Sequence, residues 1–319
     1  MRVLVTGGGG FVGQWLTRAL LERGDSVDLS GLGTSFAGPP VLTADERGAT
    51  RWMQADMRNT GEIEAVVERS APDVVFHLAG VSFPPEAERS PTTTYDVNTL
   101  GAVRLLDAIR RRVAAGVADP VTLIVGSGMQ YGRHEAPEMP LPETAEQRPV
   151  STYAASKTAQ EIAALQFVRA FGSRVVCTRS FNHSGVGHGA EYLLPSLVAR
   201  ARRIRAGTER RLALGNDVVR DYLHVTDVVR AYLLLVERGT QGTVYNVSSG
   251  SGVSVRQLAA DVLLRVGASA DISTDPSLVR AADVPVNVGS PERLMHDTGW
   301  TPLKTYADII DDLLNAAKD

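Results

Sequence analysis

Short apolar runs alternate with helix-spaced apolar positions through the first half of the chain. Residues 2–6 form a β-branched run that ends in glycines. Residues 14–23 follow with Leu16, Ala19 and Leu20 on one face, and Gly24 stands where such a helix stops. Further strands are expected at 26–29, 51–54, 73–78, 121–125 and 174–178. Between them Ile63, Val66 and Val67, then Val103, Leu105, Leu106 and Ile109, keep helical spacing, and 153–171 reads as one long helix. Continuous apolar strands separated by amphipathic helices indicate parallel strands buried on both faces, so the expected class is α/β with a doubly wound parallel sheet.

The pattern loosens after Arg179. Gly and His punctuate 182–189, a basic helix is expected at 193–205, and Pro, Ser and Asp thicken around 269–291. The reading is two domains: 1–181 plus about 218–240 as a dinucleotide-binding unit, with 221–236 returning to pack on its sheet. About 182–217 plus 241–319 then form a smaller, discontinuous α/β substrate-binding domain. A length of 319 residues supports two such cores, and 44% hydrophobic with 22% charged residues excludes a disordered chain. A formal charge of -3 argues against nucleic acid as a partner. One cysteine excludes a disulfide framework or a Cys-based zinc site. No apolar run is long enough to span a membrane, and Gly7 to Gly10 interrupt the N-terminal apolar stretch too soon for a signal peptide. A cytoplasmic location is expected, which makes the glycosylation patterns at Asn182 and Asn246 coincidental.

Thr6-Gly7-Gly8-Gly9-Gly10-Phe11-Val12-Gly13 places glycines at 7, 10 and 13 between the first strand and the first helix. Such a loop lets backbone approach a pyrophosphate, whose charge is met by free N–H groups at the helix start, as in Rossmann-type folds. The second strand separates NAD from NADP, because an acid at its end binds the adenosine ribose hydroxyls. That position falls on Gly31, and Asp28 lies mid-strand. Ser30, Thr34 and Ser35 are available to a 2′-phosphate, although no Arg is adjacent, and the reading favours NADP over NAD.

Tyr153 and Lys157 stand four apart at the head of a helix, hence on one face. A free phenol, with pKa about 10, is a poor base at neutral pH, and an adjacent ammonium is expected to lower that value. Ser127 ends the fifth strand, on the edge where open parallel sheets bind ligands. These three are the candidate catalytic residues.

The glycine loop, Asp56-Met57, Phe76-His77-Leu78-Ala79-Gly80, Asn98, Ser127 with Tyr131-Gly132, and Tyr153 with Lys157 resemble the extended short-chain dehydrogenase/reductase family of nucleotide-sugar enzymes. The resemblance covers nearly the whole chain. It implies a cofactor site of Gly7, Gly10, Phe11, Val12, Gly13, Asp56, Met57, Leu78, Ala79, Gly80, Asn98, Tyr153 and Lys157. Asp56 and Met57 would flank the adenine, although core packing also explains Met57 and Leu78. Dehydratases of the family carry an acid just after the position of Ser127, where this chain has Gly128 and Met129. Those side chains cannot remove a proton, which leaves reduction or epimerisation.

Segments 178–183, 219–227, 245–250, 280–285 and 297–300 are similar to GDP-4-keto-6-deoxymannose reductases in particular. By that resemblance Ser82, Asn182, Arg220 and Arg280 contact a sugar nucleotide, arginine suiting a diphosphate through paired charge-assisted bonds. One departure is that those reductases carry polar residues near 128–130, where Gly128 and Met129 are small and apolar. The implied reaction is NAD(P)H-dependent reduction of the 4-keto group of a nucleotide-linked 6-deoxyhexose, giving GDP-D-rhamnose or GDP-6-deoxy-talose. The alternatives are a nucleotide-sugar 4-epimerase with tightly bound NAD, and a non-catalytic dinucleotide sensor.

The six histidines lack metal-ligand spacing, and no metal site is expected; His134 and His183 fall in loops beside the candidate site. The arginines of 110–112 and 200–211 read as solvated helix faces, the second set with a steering role open to it. Family members pair through two helices per subunit. The stripe of Val103, Leu106 and Ile109 permits such a homodimer, and core packing explains it equally.

Overall fold

The computed structural model describes residues 1–33, 36, 39–279 and 283–316. The first half supplies β1 (Arg2–Thr6), β2 (Ser26–Gly31), β3 (Arg51–Gln54), β4 (Val74–His77), β5 (Val121–Ser127) and β6 (Val175–Ser180). The second half supplies β7 (Asn182–Ser184), β8 (Arg211–Leu214), β9 (Val219–His224), β10 (Val244–Val247), β11 (Gly252–Ser254), β12 (Asp271–Thr274) and β13 (Val286–Asn287). Seven strands form one parallel sheet in the order β10-β6-β5-β4-β1-β2-β3.

Both faces of that sheet are covered, as its apolar strands require. On one side Val3, Val5, Leu29 and Phe76 pack against Leu16 and Leu20 of helix Phe11–Glu22 and Val228, Tyr232 and Leu235 of helix Val225–Arg238. On the other, Leu4, Met53 and Val75 meet Ile63, Val66 and Val67 of helix Thr60–Ser70 and Leu105 and Ile109 of helix Gly101–Ala114. Helix Thr152–Phe171 closes that face farther along, where Ala164 and Phe167 meet Ile124 and Cys177. A second core gathers helices Leu193–Arg205, Val255–Val266 and Tyr306–Ala316 around β8 and β9. Among the described residues no helix is long and apolar enough to cross a membrane.

The expected domain limits need two corrections. Strand β10, assigned by the sequence to the substrate side, pairs with β6 in the large sheet, and Leu294 and Trp300 belong to the same core. Asn246 hid the strand: an amide interrupts the apolar run, yet it is buried because it bonds Tyr131 Oη at 2.7 Å and the carbonyls of Leu141 and Ser290. Conversely, β9 belongs to a small sheet with β7, β11 and β13. Of the stretch expected to return, Leu223 of β9 and the helix that follows pack into the large-sheet core, although β9 pairs elsewhere.

Candidate active site

The first crossover is shaped by glycine. Gly7 takes φ +72, and a Cβ there would sit 2.7 Å from the Ala79 nitrogen. A Cβ on Gly13 would sit 2.5 Å from the Gly7 carbonyl oxygen. The loop is therefore as close to β4 and to its own helix as backbone permits. Helix Phe11–Glu22 begins after Gly10 with no side-chain cap and no acid in its first turn, the arrangement a pyrophosphate would complete. These residues fit a dinucleotide.

The floor of the site is the loop after β4. Leu78 N donates to Thr6 O at 3.1 Å and Ala79 N to Thr6 Oγ1 at 3.4 Å. Asn98 lies in a π-helical turn, Asp96–Leu100, of the kind that often marks functional sites. Its side chain accepts from Val81 N at 2.7 Å and donates to Ser156 Oγ at 2.9 Å. Asn98 therefore ties the 78–81 loop to the helix that carries Tyr153 and Lys157. Gly80 fits between them, since a Cβ there would lie 2.8 Å from Asn98 Oδ1 and 3.5 Å from Lys157 Nζ.

Ser127, Tyr153 and Lys157 come together at the carboxyl edge. Ser127 ends β5, where its hydroxyl accepts from Met129 N at 3.2 Å, and its side chain acts to lower the Tyr153 pKa. Lys157 Nζ donates to Val125 O at 2.8 Å and Gln160 Oε1 at 2.9 Å. Burial pushes the Lys157 ammonium down to about 8. The expected lowering of the Tyr153 pKa is not found in the protein alone. Burial raises that phenol above its ordinary value, the Ser127 hydroxyl opposes the rise, and Tyr192 adds to it. The ammonium instead faces a backbone carbonyl and an amide.

Behind Ser127 is a buried polar hub that the sequence reading missed. Gln130 Oε1 accepts from Ser127 N at 2.7 Å, and Gln130 Nε2 donates to Glu161 Oε2 at 2.9 Å. Glu161 also accepts from Arg179 Nε at 2.9 Å, Arg179 Nη2 at 2.7 Å and Gln147 Nε2 at 2.7 Å. A signal existed: Tyr153, Lys157 and Glu161 recur every four residues on one helix face.

The other expected residues are distributed as follows. Asp56 pairs with Arg58 and is held below the usual carboxylate range by that hydrogen bond. Met57 is buried in the core beneath Gly101. Ser82 is exposed, 3.4 Å from the Tyr192 hydroxyl. Asn182 is half-buried on β7. Arg220 is buried, with Nη1 bonded to Val219 O at 2.9 Å and Val284 O at 2.7 Å, and Nη2 3.6 Å from Asp283. Arg280, like Thr34 and Ser35, lies outside the described residues.

His134 is structural, bonded to Glu138 and to Glu146 O. His183 sits beside the site, its ring 6.4 Å from that of Phe11, which also stacks on His188 at 4.4 Å. Tyr192 stacks on His188 at 4.0 Å and had not been anticipated. Nor had Phe181, whose ring carbons lie 2.9 Å from a Cβ built on Gly128. No side chain fits at 128 while that ring is there.

A family model described as GDP-mannose 4,6 dehydratase matches residues 4–313. The chain belongs to that family. Within the GDP-mannose 4,6 dehydratase family it is 36% identical over 246 residues to GDP-6-deoxy-D-mannose reductase of Pseudomonas aeruginosa, covering 76% of this chain and 80% of that one. The fold matches the structure of RMD from Pseudomonas aeruginosa complexed with NADPH, with 31% identity, full coverage of both chains and a TM-score of 0.82. It also matches UDP-glucose 4-epimerase of Thermus thermophilus complexed with NAD, with 28% identity, 100% and 99% coverage and a TM-score of 0.83.

Proposed function

We propose that this chain is an NAD(P)H-dependent reductase of the 4-keto group of a nucleotide-linked 6-deoxyhexose, with GDP-4-keto-6-deoxymannose as substrate. Within a family whose model is described as a dehydratase, the observation that carries this reading is the packing of Phe181 against Gly128. Dehydration needs an acid beside the serine, and that volume is filled by an aromatic ring. Keto reduction needs only a hydride and one proton donor. The relative and the NADPH-bound structure support the same choice.

A reduced nicotinamide, when bound, would supply the hydride. Tyr153, whose raised pKa keeps its proton at neutral pH, donates that proton to the C4 oxygen as negative charge develops there. Ser127, whose hydroxyl acts on that phenol, holds the same oxygen. Lys157, beside Gly80, would hold the nicotinamide ribose. Asn182, Arg220, Arg280 and Ser82 contact the sugar nucleotide.

The test is incubation with NADPH and GDP-4-keto-6-deoxymannose. One NADPH consumed per deoxyhexose formed supports the reading. Interconversion of UDP-glucose and UDP-galactose without net NADPH consumption would replace it with the epimerase.

A homodimer is part of this proposal. Leu106 and Ile109 of the expected stripe are spent in the chain's own core, but Tyr95, Leu100, Ile162 and Phe171 are exposed on neighbouring helical segments. Sedimentation as a monomer would remove the dimer and leave the chemistry standing.

A further inference from the structure

The carboxyl end of β2 is closed by an aromatic side chain from the next strand. Trp52 on β3 is in register with Leu29, and its indole reaches across the strand tip. A Cβ built on Gly31 would lie 3.0 Å from both Cη2 and Cζ2 of the ring. The same edge abuts the glycine loop, 2.9 Å from a Cβ built on Gly9. The ring is held in place. Its Nε1 donates to Gly33 O at 3.0 Å, and its centroid lies 5.2 Å from that of Phe36.

In dinucleotide folds this corner presents the carboxylate that binds the adenosine ribose hydroxyls. Here the tip residue has no side chain, and the carboxylates closest to it in sequence on β2 and after β3 are both neutralised. Asp28 is paired with Arg51, and Asp56 with Arg58 at 2.6 Å. Ala55 N donates to Gly31 O at 2.9 Å, so the Asp56–Arg58 turn starts directly beside the tip. A dianionic 2′-phosphate would meet no uncompensated negative charge from these groups, and Arg58 stands exposed to receive it.

We propose that Trp52 sets cofactor choice: its indole excludes a ribose-binding carboxylate at position 31 and so selects the dinucleotide that carries a 2′-phosphate. The inference rests on the dinucleotide-binding part of the reading above and is independent of the sugar. A carboxylate grafted onto Gly31 can reach the ribose only once the indole is withdrawn.

Calorimetric titration of NADPH and NADH into the wild type, Gly31→Asp, Trp52→Val and the double variant tests this without turnover. The wild type is expected to bind NADPH at least about tenfold more tightly than NADH. Gly31→Asp alone should weaken NADPH without improving NADH. The double variant should gain about tenfold or more for NADH over Gly31→Asp, the scale of one hydrogen bond to a charged group. Trp52→Phe, which keeps a ring against Phe36, replaces Trp52→Val if thermal unfolding shows the smaller residue is not tolerated. An equal gain in NADH affinity from Gly31→Asp alone, or a wild type that prefers NADH, overturns the role of Trp52. A wild type that binds neither nucleotide overturns the reductase reading itself.

Discussion

Replacing Glu161 by Ala leaves a guanidinium charged and unpaired inside the dinucleotide-binding half. The Arg179 and Glu161 side chains are only 5% and 4% exposed, so water cannot take the lost partner's place. Removing one member of such a buried pair costs about 3–5 kcal/mol, because the remaining charge keeps its desolvation penalty without its attraction. Glu161 also accepts from Gln130 and Gln147, so two amides lose their acceptor in the same step. The expected result is an unfolding free energy lowered by that amount, read as a urea midpoint that falls by the loss divided by an unchanged slope. Glu161→Ala combined with Arg179→Met removes the orphan charge and should recover most of the loss. Turnover of the folded variant should also fall, since Gln130 accepts from the Ser127 amide and is itself held by Glu161. A loss below about 1 kcal/mol, or a double variant no more stable than the single, would refute the argument that the pair is strongly coupled.

Three further outcomes follow from the site. Tyr153→Phe should retain NADPH affinity and lose turnover by about 10²–10⁴-fold, the range for a general acid; an unchanged rate in a stopped-flow assay defeats the mechanism. In the nucleotide-free protein Lys157 titrates near 8 instead of 10.5. The folded state then binds fewer protons than the unfolded chain between those values, so its burial cost is complete below pH 8 and is relieved as pH rises. Wild-type stability measured against Lys157→Met should therefore climb by about 3 kcal/mol across that window, and a flat difference contradicts the shift. Gly13→Ala places a methyl 2.5 Å from the Gly7 carbonyl oxygen, and NADPH should no longer raise the melting temperature; full ligand stabilisation would show that the loop has room to spare.

The large sheet was legible because its strands are buried on both faces and therefore uninterrupted in sequence, as at Val3–Leu4–Val5 and Val74–Val75–Phe76. The placement of Gly7, Gly13, Ser127, Tyr153 and Lys157 was legible because each lies near the end of a strand or helix and its spacing along the chain is local. What escaped was set by pairing across distance. Asn246 and Arg179 look wrong for buried strands until their partners, about a hundred residues away for Asn246 and eighteen for Arg179, are in place. Phe181 and Trp52 act through the volume they fill beside Gly128 and Gly31, and volume leaves no trace in periodicity. The direction of the Tyr153 shift was misread for a related reason. Four-residue spacing gives a shared helix face, but not which atom the ammonium bonds.

The placement of Leu294 and Trp300 has a consequence for any attempt to cut the molecule in two. Both are fully enclosed against the nucleotide-binding sheet, and the indole of Trp300 donates to Asp227 O at 3.0 Å. A fragment ending anywhere before residue 300 exposes a hydrophobic seam and forfeits the last piece of its own interior. The chain thus keeps returning to its first core, and cutting it into a simple N-terminal and C-terminal half would open that core.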